Sequence, residues 1–380
     1  MSAVRTERPT RRIAAIDVVR GVAILGTLGT NIWIFTHPSG PFSLFPDTTG
    51  VAGAVETGLR AVANGKFLAL LTLLFGVGLE LQYRSAVRRG MRWPGRYLWR
   101  AALLFVEGLL HYVLVFEYDV LMSYAVTSML VAYLIGRSDR AQRSWMVAAG
   151  ALHVLLVAAG TAGQLTDSWP QTNPSTALYT SGSWLDQVHA RLTDWAQFRA
   201  EAMFILPMSV LLFLAGARLL RAGAFAADGQ PLRNRLMAWG FGLGLPLNAL
   251  TTAAGPDWAL VDRYLVPPVV AIGLLGLVPT ILFGLRGDPG PLHRGLTSVG
   301  RTALSCYVFQ NLVASIVCYG WGFGLAARFD EFRPWWVFGL WAAICATFMV
   351  LATWWLRHFE RGPLEAAWNW AYQRPFRGRS

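Results

Sequence analysis

The sequence predicts an all-α, polytopic integral membrane protein of about ten transmembrane helices, with the N- and C-termini cytoplasmic. Three observations predict it. Of 380 residues, 54% are hydrophobic and only 14% charged, where globular chains carry about 25% charge. Seventeen tryptophans suit the membrane–water interfaces, where an amphipathic ring sits half in lipid. Long apolar runs recur, and the basic residues between them collect in alternate gaps.

Runs long enough to cross the hydrocarbon core lie near 14–36, 66–83, 98–117, 119–137, 144–163, 203–221, 235–254, 265–285, 298–320 and 335–356. The first follows a basic stretch, as in a signal peptide. It is too long for one and ends in bulky Trp33, Ile34 and Phe35, so it reads as a retained span. The third and fourth are divided only by Glu117, Tyr118 and Asp119, a tight hairpin. With the N-terminus inside, the two tails and the gaps 84–100, 137–143, 218–235 and 286–301 hold 25 of the 33 Lys and Arg. The outer gaps hold seven, and Arg20 lies within a span. That asymmetry supports ten spans in a cell membrane. It also reassigns the net charge of +12 to orientation and to contact with anionic inner-leaflet lipid. Membrane lipids are therefore expected partners and nucleic acid is not.

The expected organisation is a basic tail (1–12), one transmembrane helical domain (13–360) and a tail (361–380) with an interfacial helix carrying Trp368, Trp370 and Tyr372 before a disordered end. Two outer loops are long. Residues 36–65 carry His37, Pro38, Pro41 and Pro46, then a weakly amphipathic stretch. Residues 164–202 open on Pro and Ser, then space Leu185, Val188, Leu192, Trp195 and Phe198 as one apolar helical face, expected on the outer membrane surface. The loops either roof an outward-facing site or merely connect spans. Cys306, Cys318 and Cys345 sit in late apolar runs without metal-like spacing and read as small buried residues; no metal is expected.

Soluble-enzyme signatures are missing: there is no His-Glu-x-x-His, Gly-x-Ser-x-Gly or Walker loop. The glycine-rich stretches 240–244 and 320–324 fit close helix packing better than nucleotide binding. Polar groups inside the spans are more informative, because an ionisable group in lipid is costly unless paired or facing a cavity. The first run holds Asp17, Arg20 and Asn31. Arg20 and Asn31 are eleven residues apart, so they share a helix face at a separation of roughly 16 Å. Glu107 and His111 lie four apart and could pair, either to tune the imidazole or to lock two helices. Asp119 and Tyr124 open the fourth run. His37, just past the first, reads as a surface general base or as a solvated loop histidine. His153 reads as a packed helix histidine, and His189, His293 and His358 as surface residues. In the ninth run Arg301 and Ser305 are four apart, as are Tyr307 and Asn311, on different sides. Arg301 could meet a phosphate or anchor at the interface.

These pieces carry a resemblance. DVVRGVAILG at 17–26, GKF at 65–67, LFG at 74–76, LH at 110–111, DVL at 119–121, YA at 124–125, GRTALSCY at 300–307, Gln310 and GPLE at 362–365 resemble the YeiB-like family. The half at 220–376 is similar to its domain of unknown function 418. That family in turn resembles the transmembrane acyltransferases, which include bacterial enzymes that modify surface sugars and the lysosomal heparan glucosaminide N-acetyltransferase. The resemblance implies acyl transfer from a cytoplasmic acyl-CoA co-substrate to a small-molecule or glycan acceptor on the other side. In the surface-sugar enzymes an Arg of the first span is followed eleven residues later by His; here Arg20 matches, and Asn31 takes the His place. The heparan enzyme also has Asn there and a working His farther along, which points to His37 at a shorter spacing.

The expected roles follow. Asn31 donates to the oxyanion, with Arg20 on the same face. The base is His37, or His111 paired with Glu107, and Asp119 joins the candidate set. The phosphates of CoA meet Arg96, Arg100 or Arg301. The alternative is a transporter or exporter of a small amphiphile, whose signature would be an inverted repeat; none is visible. A homodimer is a further candidate assembly.

Overall fold

The computed structural model describes residues 9–40, 49–166, 176–285 and 290–376. Expectations for the basic tail before Pro9, for Pro41 and Pro46, for the Pro- and Ser-bearing start of the second long loop, for Arg286 and for the last four residues fall outside them.

All regular structure among the described residues is helical. The order begins α1 (Pro9–Phe35), α2 (Gly50–Ala63), α3 (Lys66–Arg88), α4 (Arg96–Leu114), α5 (Leu121–Leu134) and α6 (Asp139–Leu165). Short helices α7 (Thr176–Thr180), α8 (Trp184–Thr193) and α9 (Trp195–Phe198) lead to α10 (Ala202–Arg221) and α11 (Gln230–Trp239). A π-turn (Gly240–Gly244) joins α11 to α12 (Leu245–Ala253), and a second (Val261–Leu265) precedes α13 (Pro267–Gly284). The chain ends with α14 (Pro291–Arg301), α15 (Ala303–Cys318), α16 (Leu325–Arg328), α17 (Trp335–His358) and α18 (Pro363–Gln373).

Seven helical stretches among the described residues are long and apolar enough to cross a membrane: 14–35, 50–88, 96–114, 139–165, 195–221, 261–284 and 335–358. The other three expected runs are helical but differ. α5 and α15 are shorter apolar helices, and 230–253 contains the π-turn. The ninth run is two helices, broken at Thr302 (φ −112°, ψ 36°).

Burial sorts the helices. The apolar window of α1 is 83% buried within the protein, whereas those of α4, α6 and α17 are 22%, 28% and 28% buried. The latter turn Val106, Leu110, Val147, Leu155, Val350 and Trp354 outward, as helices facing lipid do. Backbones meet where glycine allows it. A Cβ on Gly76 of α3 would lie 2.0 Å from the Phe213 carbonyl oxygen of α10, and one on Gly216 would lie 2.0 Å from that of Leu73. The two helices thus interlock at a reciprocal pair of glycines. Gly300 of α14 does the same against the Asp17 carbonyl of α1, at 1.8 Å.

The second long loop docks through the side opposite its apolar face. α8 docks through polar Gln187 and Arg191, both buried, while Leu185, Leu192 and Trp195 point outward and only Phe198 turns in. Arg191 explains this. Its Nε donates to Glu117 Oε1 (3.0 Å) and its Nη atoms to the Val113 and Val115 carbonyls. The guanidinium thus satisfies carbonyls at the end of α4 that have no helical partner. Ser183 and Asp186 close a capping box at the start of α8, and hydrogen bonds from Ser183 hold the Asp186 carboxyl below its usual pKa.

Candidate functional site

α1, α4, α15 and the hairpin between α4 and α5 bring four polar side chains into one buried chain of hydrogen bonds. Asn31 Nδ2 of α1 donates to Asn311 Oδ1 of α15 (3.2 Å). Asn311 Nδ2 then faces His111 Nε2 of α4 (3.3 Å), and His111 Nδ1 faces Asp119 Oδ2 (2.8 Å). The polarity is fixed from the asparagine end. Because Asn311 accepts through oxygen, its amide nitrogen donates to Nε2; the proton of a neutral imidazole therefore sits on Nδ1 and points at the carboxylate. All four residues are buried, at 6%, 0%, 2% and 2% exposure in the same order.

Asp119 is held from two more sides. Its Oδ1 accepts from Met122 N–H (3.1 Å) at the start of α5, and its carbonyl accepts from Arg199 Nη1 (2.7 Å). Arg199 lies over the Tyr112 ring, and the Tyr112 hydroxyl donates to the Arg191 carbonyl (2.6 Å). The long loop thus braces the Asp119–His111 pair. Gly108 keeps room for it, since a Cβ there would lie 2.8 Å from Asp119 Oδ1.

Two cavities flank this chain. The larger, about 390 Å³, lies where α1 begins and α17 ends. Arg20, Arg100, Arg301 and Arg361 line it together with Glu365 and Trp368, and its interior is apolar, with Ile24, Leu71, Leu74 and Leu121. The smaller, about 20 Å³, lies toward the opposite ends of the helices, against Asn31, Thr27, Thr30, Tyr118, Glu201 and Arg263.

The expected site residues distribute as follows. Arg20 and Asn31 do share one face of α1, one in each cavity. Arg20 Nη1 bonds Asp17 Oδ1 (3.1 Å) and the Gly300 carbonyl (3.3 Å). Arg100 and Arg301 line the large cavity. Arg100 stacks on Trp368 at 4.5 Å, and Arg301 reaches the Glu360 carbonyl (3.4 Å). Arg96, in the first turn of α4, is not among the lining side chains. His37 is buried just past α1, where its Nδ1 accepts from Ser39 N–H (3.1 Å). The Glu107–His111 pairing is corrected: both imidazole nitrogens are taken by Asp119 and Asn311, and Glu107 Oε2 is buried without a hydrogen-bond partner. Residues four apart share a face, but Asp119 reaches the ring edge-on from the hairpin.

Three further groups matter. Asn311 completes the chain; its spacing from Tyr307 was visible, but nothing in sequence tied it to α4. Glu365, in GPLE, accepts from Leu304 and Ser305 N–H (2.8 and 3.2 Å) and from the Ser305 hydroxyl, so it caps α15 from α18. The tail helix therefore forms part of the cavity wall. Near the small cavity, Glu201 Oε1 accepts from Arg263 and from the Tyr264 hydroxyl (2.5 Å). Asp262 takes bonds from Asn64, Asn248, Thr251 and Thr252. His153 is a packed histidine, between the Phe204 and Tyr264 carbonyls, and the three cysteines are free and buried. Among the described residues no cluster suits a metal ion.

Comparison with known proteins adds the lineage. Residues 219–374 match the family model described as "Protein of unknown function (DUF418)". The chain is 25% identical to the uncharacterized protein YxaH of Bacillus subtilis (strain 168), over 97% of this chain and 96% of the relative. It is 28% identical to the uncharacterized protein YeiB of Escherichia coli (strain K12), over 94% and 95%. No solved structure matches it. Both relatives align over nearly the whole chain and the C-terminal match contains the Arg301, Asn311 and Glu365 elements, so the chain is similar throughout to YeiB-like proteins and its C-terminal part resembles DUF418.

Proposed function

We propose that this protein is a membrane acyltransferase that moves an acyl group from cytoplasmic acyl-CoA to a small-molecule or glycan acceptor on the other side of the cell membrane. One observation carries the reading. A buried Asp119–His111 pair, linked to Asn31 through Asn311, lies between an arginine-lined cavity at one end and a small polar cavity at the other. The reading includes ten spans with both termini inside, because the loop charge assigns the arginine-lined end to the cytoplasm.

The large cavity has the character a CoA thioester needs. Arg20, Arg100, Arg301 and Arg361 supply cationic forks for phosphates, and the apolar interior suits the pantetheine arm and acyl group. In the transfer, an acceptor hydroxyl or amine displaces the Asn311 amide at His111 Nε2. It gives its proton to that nitrogen while its oxygen or nitrogen attacks the thioester carbon. Asp119 stabilises the imidazolium that forms. The Asn31 and Asn311 amides, freed by this exchange, donate to the developing oxyanion. The C–S bond then breaks, and the CoA thiolate takes the proton back from His111. His37, held by Ser39 outside this chain, is not assigned the base.

Labelled acetyl-CoA supplied to proteoliposomes that contain candidate acceptors tests the reading. Transfer that disappears in His111→Ala supports it. If the purified protein neither binds CoA nor moves label to any acceptor pool, the reading fails. The two opposed cavities also suit a transporter of an anionic amphiphile. In that case vesicles would show counterflow of the intact amphiphile without any CoA release.

A further inference from the structure

Tyr307 stands between the two cavities. Among the described residues it is the one side chain that lines both. It is 2% exposed, and its ring packs against the His111 imidazole at 5.1 Å between centroids, tilted by 46°. On one side of it the large cavity has narrowed from arginines to Ile24, Leu71, Leu74 and Leu121. On the other the hollow against Asn31 measures about 20 Å³, enough for roughly one water molecule.

The geometry points to Tyr307 as the partition between donor and acceptor sides, which restricts the transferred group to acyl chains of about acetyl size. The proposal rests on the acyl-transfer reading. For a nucleophile held at His111 Nε2 to attack, the thioester carbon must lie within about 3–3.5 Å of it, at the Tyr307 ring. The donor arm fills the large cavity behind the sulfur. The remainder of the acyl chain then has only the space the tyrosine leaves and the hollow beyond. A methyl group fits there. A longer chain meets the phenol ring, Thr27 and Asn31, and close-packed walls do not yield a methylene cheaply. Phenylalanine at this position keeps the wall, whereas alanine joins the two spaces.

The test uses the full-length protein in detergent and non-reactive probes, the S-ethyl, S-butyl and S-hexyl thioethers of CoA, with binding followed by calorimetry. The parent is expected to favour S-ethyl-CoA over S-hexyl-CoA by at least about tenfold, the discrimination a tight pocket gains per excess methylene. Tyr307→Phe keeps that ratio and Tyr307→Ala abolishes or inverts it. Equal binding of the three probes by the parent, or an unchanged ratio in folded Tyr307→Ala, overturns the proposal. If no CoA probe binds the parent, the acyl-CoA reading falls, and the partition is judged separately. For this, Thr27→Cys in a background lacking Cys306, Cys318 and Cys345 is treated with a membrane-impermeant thiol reagent from the arginine-lined side. Modification only when Tyr307 is alanine supports a partition; equal modification with tyrosine in place refutes it.

Discussion

Asp119→Asn changes one atom and should reverse the polarity of the whole buried chain. In the parent, Asp119 Oδ1 accepts from Met122 N–H and Oδ2 accepts from His111 Nδ1. An asparagine keeps its oxygen on Met122 and presents NH₂ to the ring. His111 Nδ1 must then accept, which moves the proton to Nε2. There it meets the donating Nδ2 of Asn311, so Asn311 must turn over. Its NH₂ now faces the NH₂ of Asn31, which must turn over as well. Each residue can still be satisfied, so the fold loses little beyond one charge-assisted hydrogen bond, about 1.5–3 kcal/mol. Under the proposed acyl transfer, turnover loses far more, because Nε2 is no longer an acceptor. A wrong-tautomer substitution of this kind costs about 10⁴-fold in a Ser-His-Asp triad, or roughly 5.5 kcal/mol of barrier. Two assays check this: turnover of labelled acetyl-CoA, and ¹⁵N NMR of histidine-labelled protein. The expected outcome is a loss of roughly 10³- to 10⁴-fold, with the protonated and bare nitrogen signals of His111 exchanged. A folded Asp119→Asn protein within about threefold of the parent, or one with its proton still on Nδ1, would refute the reasoning.

Four other predictions follow from the packing. Glu365→Ala removes the cap on two N–H groups and one hydroxyl at the start of α15 and should lower stability by about 1–2 kcal/mol in thermal melts, with Ser305→Ala costing less. Gly216→Ala should cost at least about 2–3 kcal/mol or abolish folded yield on size exclusion, because its Cβ meets the Leu73 carbonyl; Gly58→Ala, with nothing within 4 Å, should stay within about 0.5 kcal/mol of the parent. Arg191→Ala strands the buried Glu117 carboxylate and should cost roughly 3–5 kcal/mol, with residues 176–199 exposed to protease. The Asp186 carboxyl is held below its usual pKa by Ser183, so its contribution to α8 is complete above about pH 4 and is lost as pH falls through the depressed value. Protection factors of the α8 amides, corrected for intrinsic exchange, should therefore fall at low pH in the parent, whereas those of Asp186→Asn should not change with pH over that range.

Much of this was legible from the chain because lipid enforces a simple rule. Apolar runs had to be helices, and a polar residue inside one had to find a partner or a cavity. Arg20, Asn31, His111 and Asp119 were visible on those grounds, as was the packing role of the glycines at 240–244, of which Gly240 meets the Gly273 backbone. What stayed hidden was pairing across elements. Spacing suggested Glu107 for His111, since a helix face is all that spacing reports. The actual partner comes from the hairpin, and Asn311 comes from a helix two hundred residues away. The apolar face of α8, expected on the outer membrane surface, is exposed on the protein, and what spacing could not report is that the opposite, polar side docks through Arg191.

α15 is a single rod that carries three of these groups in sequence. Ser305, clamped by Glu365 of the tail helix, sits in its first turn; Tyr307 follows; Asn311, about 9 Å beyond Ser305 along the axis, caps the histidine. The arginine-lined vestibule and the imidazole are therefore joined by one stiff lever with its handle at the C-terminal helix. Shortening the chain before Pro363 would detach the handle, so an edit made at the arginine-lined end would register at the imidazole.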